Sequence, residues 1–94
     1  MTLKLYIEYN GKKLYYMLYM TIVSVGSGHT VVVILVDNDT SRIMASTANT
    51  DGSICITDIK KYLIARNIKV LQGEAIGSPQ LTDYAPAYIN TLMG

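Results

Sequence analysis

The chain has no Phe and no Trp, a single Cys, a single His and only two Pro. Each shortage excludes something. One Cys cannot close an internal disulfide or build a multi-cysteine zinc site. It fits a reducing compartment, so a cytoplasmic location is expected. One His with no second His or Cys nearby makes neither a metal site nor a base–nucleophile pair. Charge is scarce as well: 16% of residues are charged and the net charge is +1, against about 25% charged in average soluble domains. A chain this close to neutral has no strong field with which to gather nucleic acid or anionic lipid. Internal repeats, Gly/Ser linkers and low-complexity tracts are also missing, so residues 1–94 read as one domain. The beginning lacks the shape of a signal peptide, because Leu3, Leu5, Ile7 and Glu8 come before Lys12, Lys13 and the apolar stretch that follows.

Half of the residues are hydrophobic, and eight Tyr supply all the aromatic area, each with a polar handle. A chain of this size buries roughly 60 to 65% of its unfolded surface, so its core is modest. Few charges and a modest core leave apolar area exposed, and self-association is the common way of covering it.

From Leu14 to Val36, 23 consecutive positions hold no Asp, Glu, Lys or Arg. About 20 apolar residues cross a bilayer core, so the run is long enough for a spanning helix. Gly26-Ser27-Gly28-His29 interrupts it with turn chemistry, and β-branched residues crowd both halves. Two strands joined by a turn fit better than one span.

Strand periodicity begins at once. Leu3, Leu5, Ile7 and Tyr9 alternate with Thr2, Lys4, Tyr6 and Glu8. Asn10-Gly11 follows, the dipeptide best suited to a type I′ turn, where both central residues need positive φ. Folding there sets Glu8 opposite Lys13, Tyr6 opposite Tyr15, Ile7 opposite Leu14, Leu5 opposite Tyr16 and Leu3 opposite Leu18, and each pair is chemically sensible. A second reversal with Ser27-Gly28 at its tip sets Val25 opposite Thr30, Val23 opposite Val32, Ile22 opposite Val33 and Met20 opposite Leu35. Val31–Val36 is apolar on both faces and reads as a central strand. Asp37-Asn38-Asp39-Thr40 is a turn, Arg42–Thr47 a fourth strand, Asn49-Thr50-Asp51-Gly52 another turn, and Ser53–Ile56 a short extended piece. Thr57 or Asp58 then caps a helix to about Asn67, with Ile59, Tyr62 and Leu63 on its buried stripe. Ile68–Ala75 reads as a strand, and Gly77-Ser78-Pro79 breaks the chain. Asp83 caps a last helix to Met93, with Pro86 in its first turn and Tyr84, Tyr88, Leu92, Ala85 and Ile89 on its apolar side. The fold class is α+β: an antiparallel meander of about four strands, then helix, strand and C-terminal helix, with both helices on one sheet face.

The register sorts the strand residues by face. Leu3, Leu5, Ile7, Leu14, Tyr16, Leu18, Met20, Ile22, Val31, Val33 and Leu35 make an aliphatic face, expected beneath the helices. Tyr6, Tyr15, Met17, Tyr19, Val23, Val32 and Ile34 dominate the other. Two short helices cover one face of such a sheet and hardly both. The Tyr/Met/Val face is therefore the expected interaction face, with a second copy of the chain as partner and a dimer as the simplest assembly. From another class, Lys4, Tyr6, Lys13, Tyr15 and Tyr19 interleave cations with aromatic rings, as on platforms that stack single-stranded nucleic acid at about 1 to 3 kcal/mol per base.

Other motifs are weaker. Thr47–Asp58 overlays a calcium loop, with Asn49, Asp51, Gly52, Ile54 and Asp58 at fitting positions but Thr47 where Asp is wanted. The following Ile59-Lys60-Lys61-Tyr62-Leu63 looks like the exit helix of a dockerin half-repeat. A turn before a capped helix calls for the same Asn, Asp and Gly. Cys55, between Ile54 and Ile56, reads as a small buried hydrophobe. Gly26-Ser27-Gly28 joins two strands and so is no phosphate loop, and Asp37 and Asp39 read as solvated turn residues. From Thr30 onward the order hairpin, helix, strand, helix resembles, in topology alone, the ribonuclease-H-like domains that carry iron–molybdenum clusters. No cluster-ligand residues accompany it, so no residues are carried over. No catalytic group, cofactor or metal ligand set stands out, and the chain is expected to be a non-enzymatic interaction protein.

Overall fold

The structure is a computed structural model that describes residues 1–77 and 84–94. Five strands and two helices follow in order: β1 (Thr2–Tyr9), β2 (Lys12–Val25), β3 (Gly28–Asp37), β4 (Ile43–Asn49), α1 (Gly52–Ala65), β5 (Lys69–Ile76) and α2 (Ala85–Met93). The strands form one sheet in the order β4-β3-β2-β1-β5, with every neighbouring pair antiparallel. The first four strands are a meander, and β5 returns to pair with β1.

The first hairpin turns on Asn10 (φ 51) and Gly11 (φ 75), both left-handed as a type I′ turn requires. Its register is the expected one, with Glu8 opposite Lys13 and Leu3 opposite Leu18. The second reversal lies one residue earlier than expected. Gly26 and Ser27 form the tip, with Gly26 at φ 59, and Val25 faces Gly28. Glycine at the first central position is the type II′ solution, which needs only that one residue at positive φ. Val23 therefore faces Thr30, Ile22 faces Val31 and Met20 faces Val33, two places from the expected partners. A slip of two leaves every side chain on its expected face, because the strand period is two.

Helix α1 begins earlier than expected. Asp51 is its N-cap and accepts from the Ser53 backbone N–H at 2.9 Å and the Ser53 hydroxyl at 2.7 Å. Ser53–Ile56 is thus the first turn of the helix, not an extended piece, and neither Thr57 nor Asp58 caps it. The shift buries Cys55 and Ile56 beside Ile59 and Leu63, completing a helical stripe that starts one turn sooner. The helix ends at Ala65, and Asn67 (φ 57) turns the chain toward β5. β4 ends at Asn49, two residues beyond its expected end. Pro86 falls in the first turn of α2, where its missing donor costs little. The expected cap Asp83 and the break at Ser78-Pro79 lie outside the described residues.

Both helices cover the same sheet face. A Cβ on Gly73 would stand 3.0 Å from Ile89 of α2 and 3.2 Å from Leu5, and the Cys55 Sγ of α1 reaches the Val31 carbonyl at 3.6 Å. Leu3, Leu5, Ile7, Leu18, Val33 and Leu35 are fully buried there, with Ile56 and Ile59 above them. Leu14 is only partly buried, Tyr84 is 58% exposed, and Ile22, expected in the core, is 54% exposed. The reason for Ile22 is length: β2 outruns β1. The β1 ladder ends with Thr2 opposite Tyr19, followed by the Met1–Met20 backbone pair, so Thr21–Thr30 projects as a two-stranded arm. Fourteen residues of β2 at about 3.3 Å each account for the 46 Å long axis of the molecule. Among the described residues, no helix is long and apolar enough to cross a membrane.

Candidate interaction surface

Strand alternation delivers every second side chain of the sheet to the side opposite the helices. Across it, the residues stand in rows set by the register. Tyr15 is beside Tyr6, which is beside Gln72; Met17 lies between Lys4 and Val36, and Lys4 is beside Glu74. Tyr19 lies between Thr2 and Ile34, Thr21 faces Val32, and Val23 faces Thr30. The rows near Asn10-Gly11 hold the charges, and those toward the arm are uncharged. Tyr6, Tyr15, Met17, Val32 and Ile34 are half-buried by their neighbours, while Tyr19 (38%) and Val23 (42%) are exposed. The seven residues of the expected interaction face do share one face.

The cationic and aromatic group is divided. The Lys4 ammonium lies 4.2 Å from the Tyr15 ring centroid and 5.2 Å from that of Tyr6, the two rings are 6.3 Å apart, and the Tyr6 hydroxyl donates to Glu74 at 3.2 Å. Lys4 thereby takes up a ring face on which a base would stack, and Glu74 adds a negative charge beside it. Lys13 stands across from Glu8 at the hairpin end, and Tyr19 lies two side-chain places beyond Tyr15 on the same strand, with Met17 between them. The five residues share a face without forming one stacking surface.

The remaining sequence candidates are structural. Burial pushes the Cys55 thiol up, away from the thiolate form, and the residue is fully buried. In the overlaid calcium loop, Gly52 onward is helical. The Asn49 Oδ1 accepts from Asp51 N–H at 3.1 Å, and the Asp51 Oδ1 is taken up by Ser53. The Ser53 hydroxyl, then its amide, holds the Asp51 carboxyl below the usual carboxylate range. Thr47 donates to Asp58 at 3.1 Å across β4 and α1. Those oxygens cap and tie the helix rather than converge on a point. The Asp37 carboxylate accepts from the Asp39 N–H at 2.9 Å, closing the β3–β4 turn.

Among the described residues, at least three clefts open on the helix side, and two of them hold polar or titratable groups noted above. One, about 450 Å³, is lined by Tyr9, Tyr16, Asp37, Tyr62 and Arg66 among others. Burial and then Asp37 push the Tyr16 phenol up, and the Arg66 guanidinium stacks 3.8 Å over Tyr62. The other, about 350 Å³, lies at the base of the arm between Met20, Ile22, His29 and Tyr88; its lining includes neither Asp51 nor Asp58. Among the described residues, no three His, Cys, Asp or Glu side chains are placed to hold a metal ion.

Two parts of the surface escaped sequence reasoning. Glu74 and Ile76 join the open face because β5 sits beside β1, a non-local pairing. The arm escaped too, although its signal was present: a strand from Lys12 to Val25 is longer than its partner Thr2–Tyr9. No protein-family model matches the chain, and no curated protein or solved structure is significantly similar to it.

Proposed function

We propose that the protein is a non-enzymatic interaction module that self-associates through its open sheet face. One observation carries the reading. Both helices lie on one side of the sheet, and the opposite side presents Met17, Tyr19, Val23, Val32 and Ile34 without a covering layer among the described residues. An apolar sheet face is stable against a partner of like character, and a second copy has it by construction. The charged rows at one end favour an antiparallel arrangement that sets uncharged rows on uncharged rows. A standard interface buries roughly 800 Å² per partner.

Light scattering coupled to size exclusion tests this. The expected mass is a multiple of 10.4 kDa, and Ile34→Glu or Met17→Glu lowers it by placing a charge in the contact. A chain that stays monomeric at high concentration overturns the proposal. The rival reading, single-stranded nucleic acid on Lys4, Tyr6, Lys13, Tyr15 and Tyr19, requires salt-dependent binding weakened by both Tyr15→Ala and Lys13→Ala.

A further inference from the structure

The cleft of about 450 Å³ lies near the Asn10-Gly11 end of the sheet, where three strands and a helix end converge. Strand alternation turns Tyr9 of β1, Tyr16 of β2 and Asp37 of β3 to the helix side. Tyr16 and Asp37 are direct partners across β2 and β3, which sets their Cβ atoms about 5 Å apart. The end of α1 brings Tyr62 and the C-cap residue Arg66 over them. A helix C-terminus is the negative pole of its dipole and favours a cation nearby.

Tyr16 is the unusual member of this group. It is only 3% exposed, yet its hydroxyl bonds to no described group. No polar side-chain atom of the described residues is sealed without a partner, so that hydroxyl opens onto the cleft it lines. Burial first, then the negative Asp37 and the other two phenols, push the Tyr16 phenol up, and it stays a neutral hydroxyl at physiological pH. Asp37 gives one carboxylate oxygen to the Asp39 N–H at 2.9 Å; its other oxygen takes no hydrogen bond from a described residue. Two oxygens thus stand side by side in a partly buried place, which suits a donor that carries positive charge. The aromatic wall has the same preference, for the chain's own Arg66 guanidinium lies 3.8 Å over the Tyr62 ring.

We propose that this cleft binds a small primary ammonium compound, its charged head on the Tyr16 hydroxyl and the Asp37 carboxylate and its apolar body along the Tyr9 and Tyr62 rings. A primary ammonium is a compact cation with three N–H donors, enough to serve both oxygens at once. A neutral ligand leaves the Asp37 charge unmatched, and an anion is repelled by it. The volume falls in the range of small-molecule sites. Arg66 sets the outer limit: its guanidinium repels the head group and covers one face of Tyr62, so it weakens the binding of a simple amine. The cleft uses none of the open-face residues, and ligand binding is independent of self-association there.

Methionine-methyl NMR on the full chain tests this, because each surface has its own reporter. Met44 lines this cleft, Met20 the one at the base of the arm, Met93 the one beside Lys60 and Ile64, and Met17 stands on the open face. Benzylammonium should shift the Met44 methyl saturably and leave the other three in place. Benzyl alcohol and benzoate, with the same ring and no positive charge, should bind about tenfold more weakly or worse. Asp37→Asn keeps an oxygen for the Asp39 N–H and should weaken benzylammonium about tenfold. Tyr16→Phe should weaken it severalfold. Arg66→Gln, a change at an exposed residue, should strengthen it. Absence of a saturable Met44 shift, equal shifts at all four methyls, benzoate binding as well as benzylammonium, or weaker binding in Arg66→Gln would each overturn the proposal.

Discussion

The two faces of the sheet are made by the same strands, one residue out of phase, yet they differ in kind. Leu18 is fully buried, while Tyr19, the next residue, is 38% exposed. Beneath the helices the side chains are nearly all aliphatic; opposite them stand Tyr, Met and Lys that cover one another only in part. The difference shows where stability resides and where surface is left over. Two helices of 14 and 9 residues suffice for one face and leave the other without a covering layer among the described residues.

The sharpest contrast compares neighbours on β2. Leu18→Ala should destabilise by about 2 to 5 kcal/mol through lost burial and a residual cavity. Met17→Ala should cost well under half of that in a chain held monomeric, since its site is only half-buried. Parallel urea melts of the two variants decide it; equal losses would mean that both faces are core. A smaller effect is expected on β5. Gly73 lies under Ile89, where a Cβ meets side-chain atoms at 3.0 and 3.1 Å. Gly73→Ala should cost about 1 to 3 kcal/mol by overpacking, whereas Glu74→Ala, on the exposed side, should change stability little. Comparing their midpoints shows whether α2 presses on the sheet as closely as the geometry demands.

The smallest effect concerns the cap that starts the covering helix. Asp51→Ala removes the bonds to Ser53 and should lower the melting temperature by a few degrees. Because Ser53 holds the folded carboxyl below its unfolded value, the stabilisation is fully present above the unfolded-state pKa, near 3.9. It is lost as pH falls through the lower folded value. Wild type and Asp51→Ala should therefore converge in melting temperature in acid and separate toward neutral pH. A gap that widens on acidification would contradict the role assigned to Asp51.

Much of this was legible in the residues, unevenly. Alternation from Thr2 to Tyr9 and the Asn10-Gly11 turn defined the first hairpin down to its pairs, because both signals are local. The second hairpin was readable as a reversal but not to the residue. Gly26-Ser27-Gly28 offers two adjacent tips, and only the geometry of the paired strands selects the first. The start of α1 was misplaced because Asn49, Asp51 and Gly52 suit a turn as well as a cap, and Thr57 and Asp58 suit a cap as well as a surface turn of helix. Burial of Cys55 and Ile56 against the sheet decided between them. The candidate face was identified as a set of residues, while Lys4 lying over Tyr15 and Glu74 beside Tyr6 depended on side-chain placement across three strands.

By itself the chain's order of residues determined which strands exist, which side each residue takes and that the fold is α+β, since periodicity of two and of 3.6 is written in neighbouring positions. Tertiary structure alone decided that β5 closes on β1 and that, among the described residues, the Thr21–Thr30 end of the β2–β3 hairpin stands clear as an arm. Those outcomes depend on distant segments competing for the same apolar surface, a contest that no local pattern records.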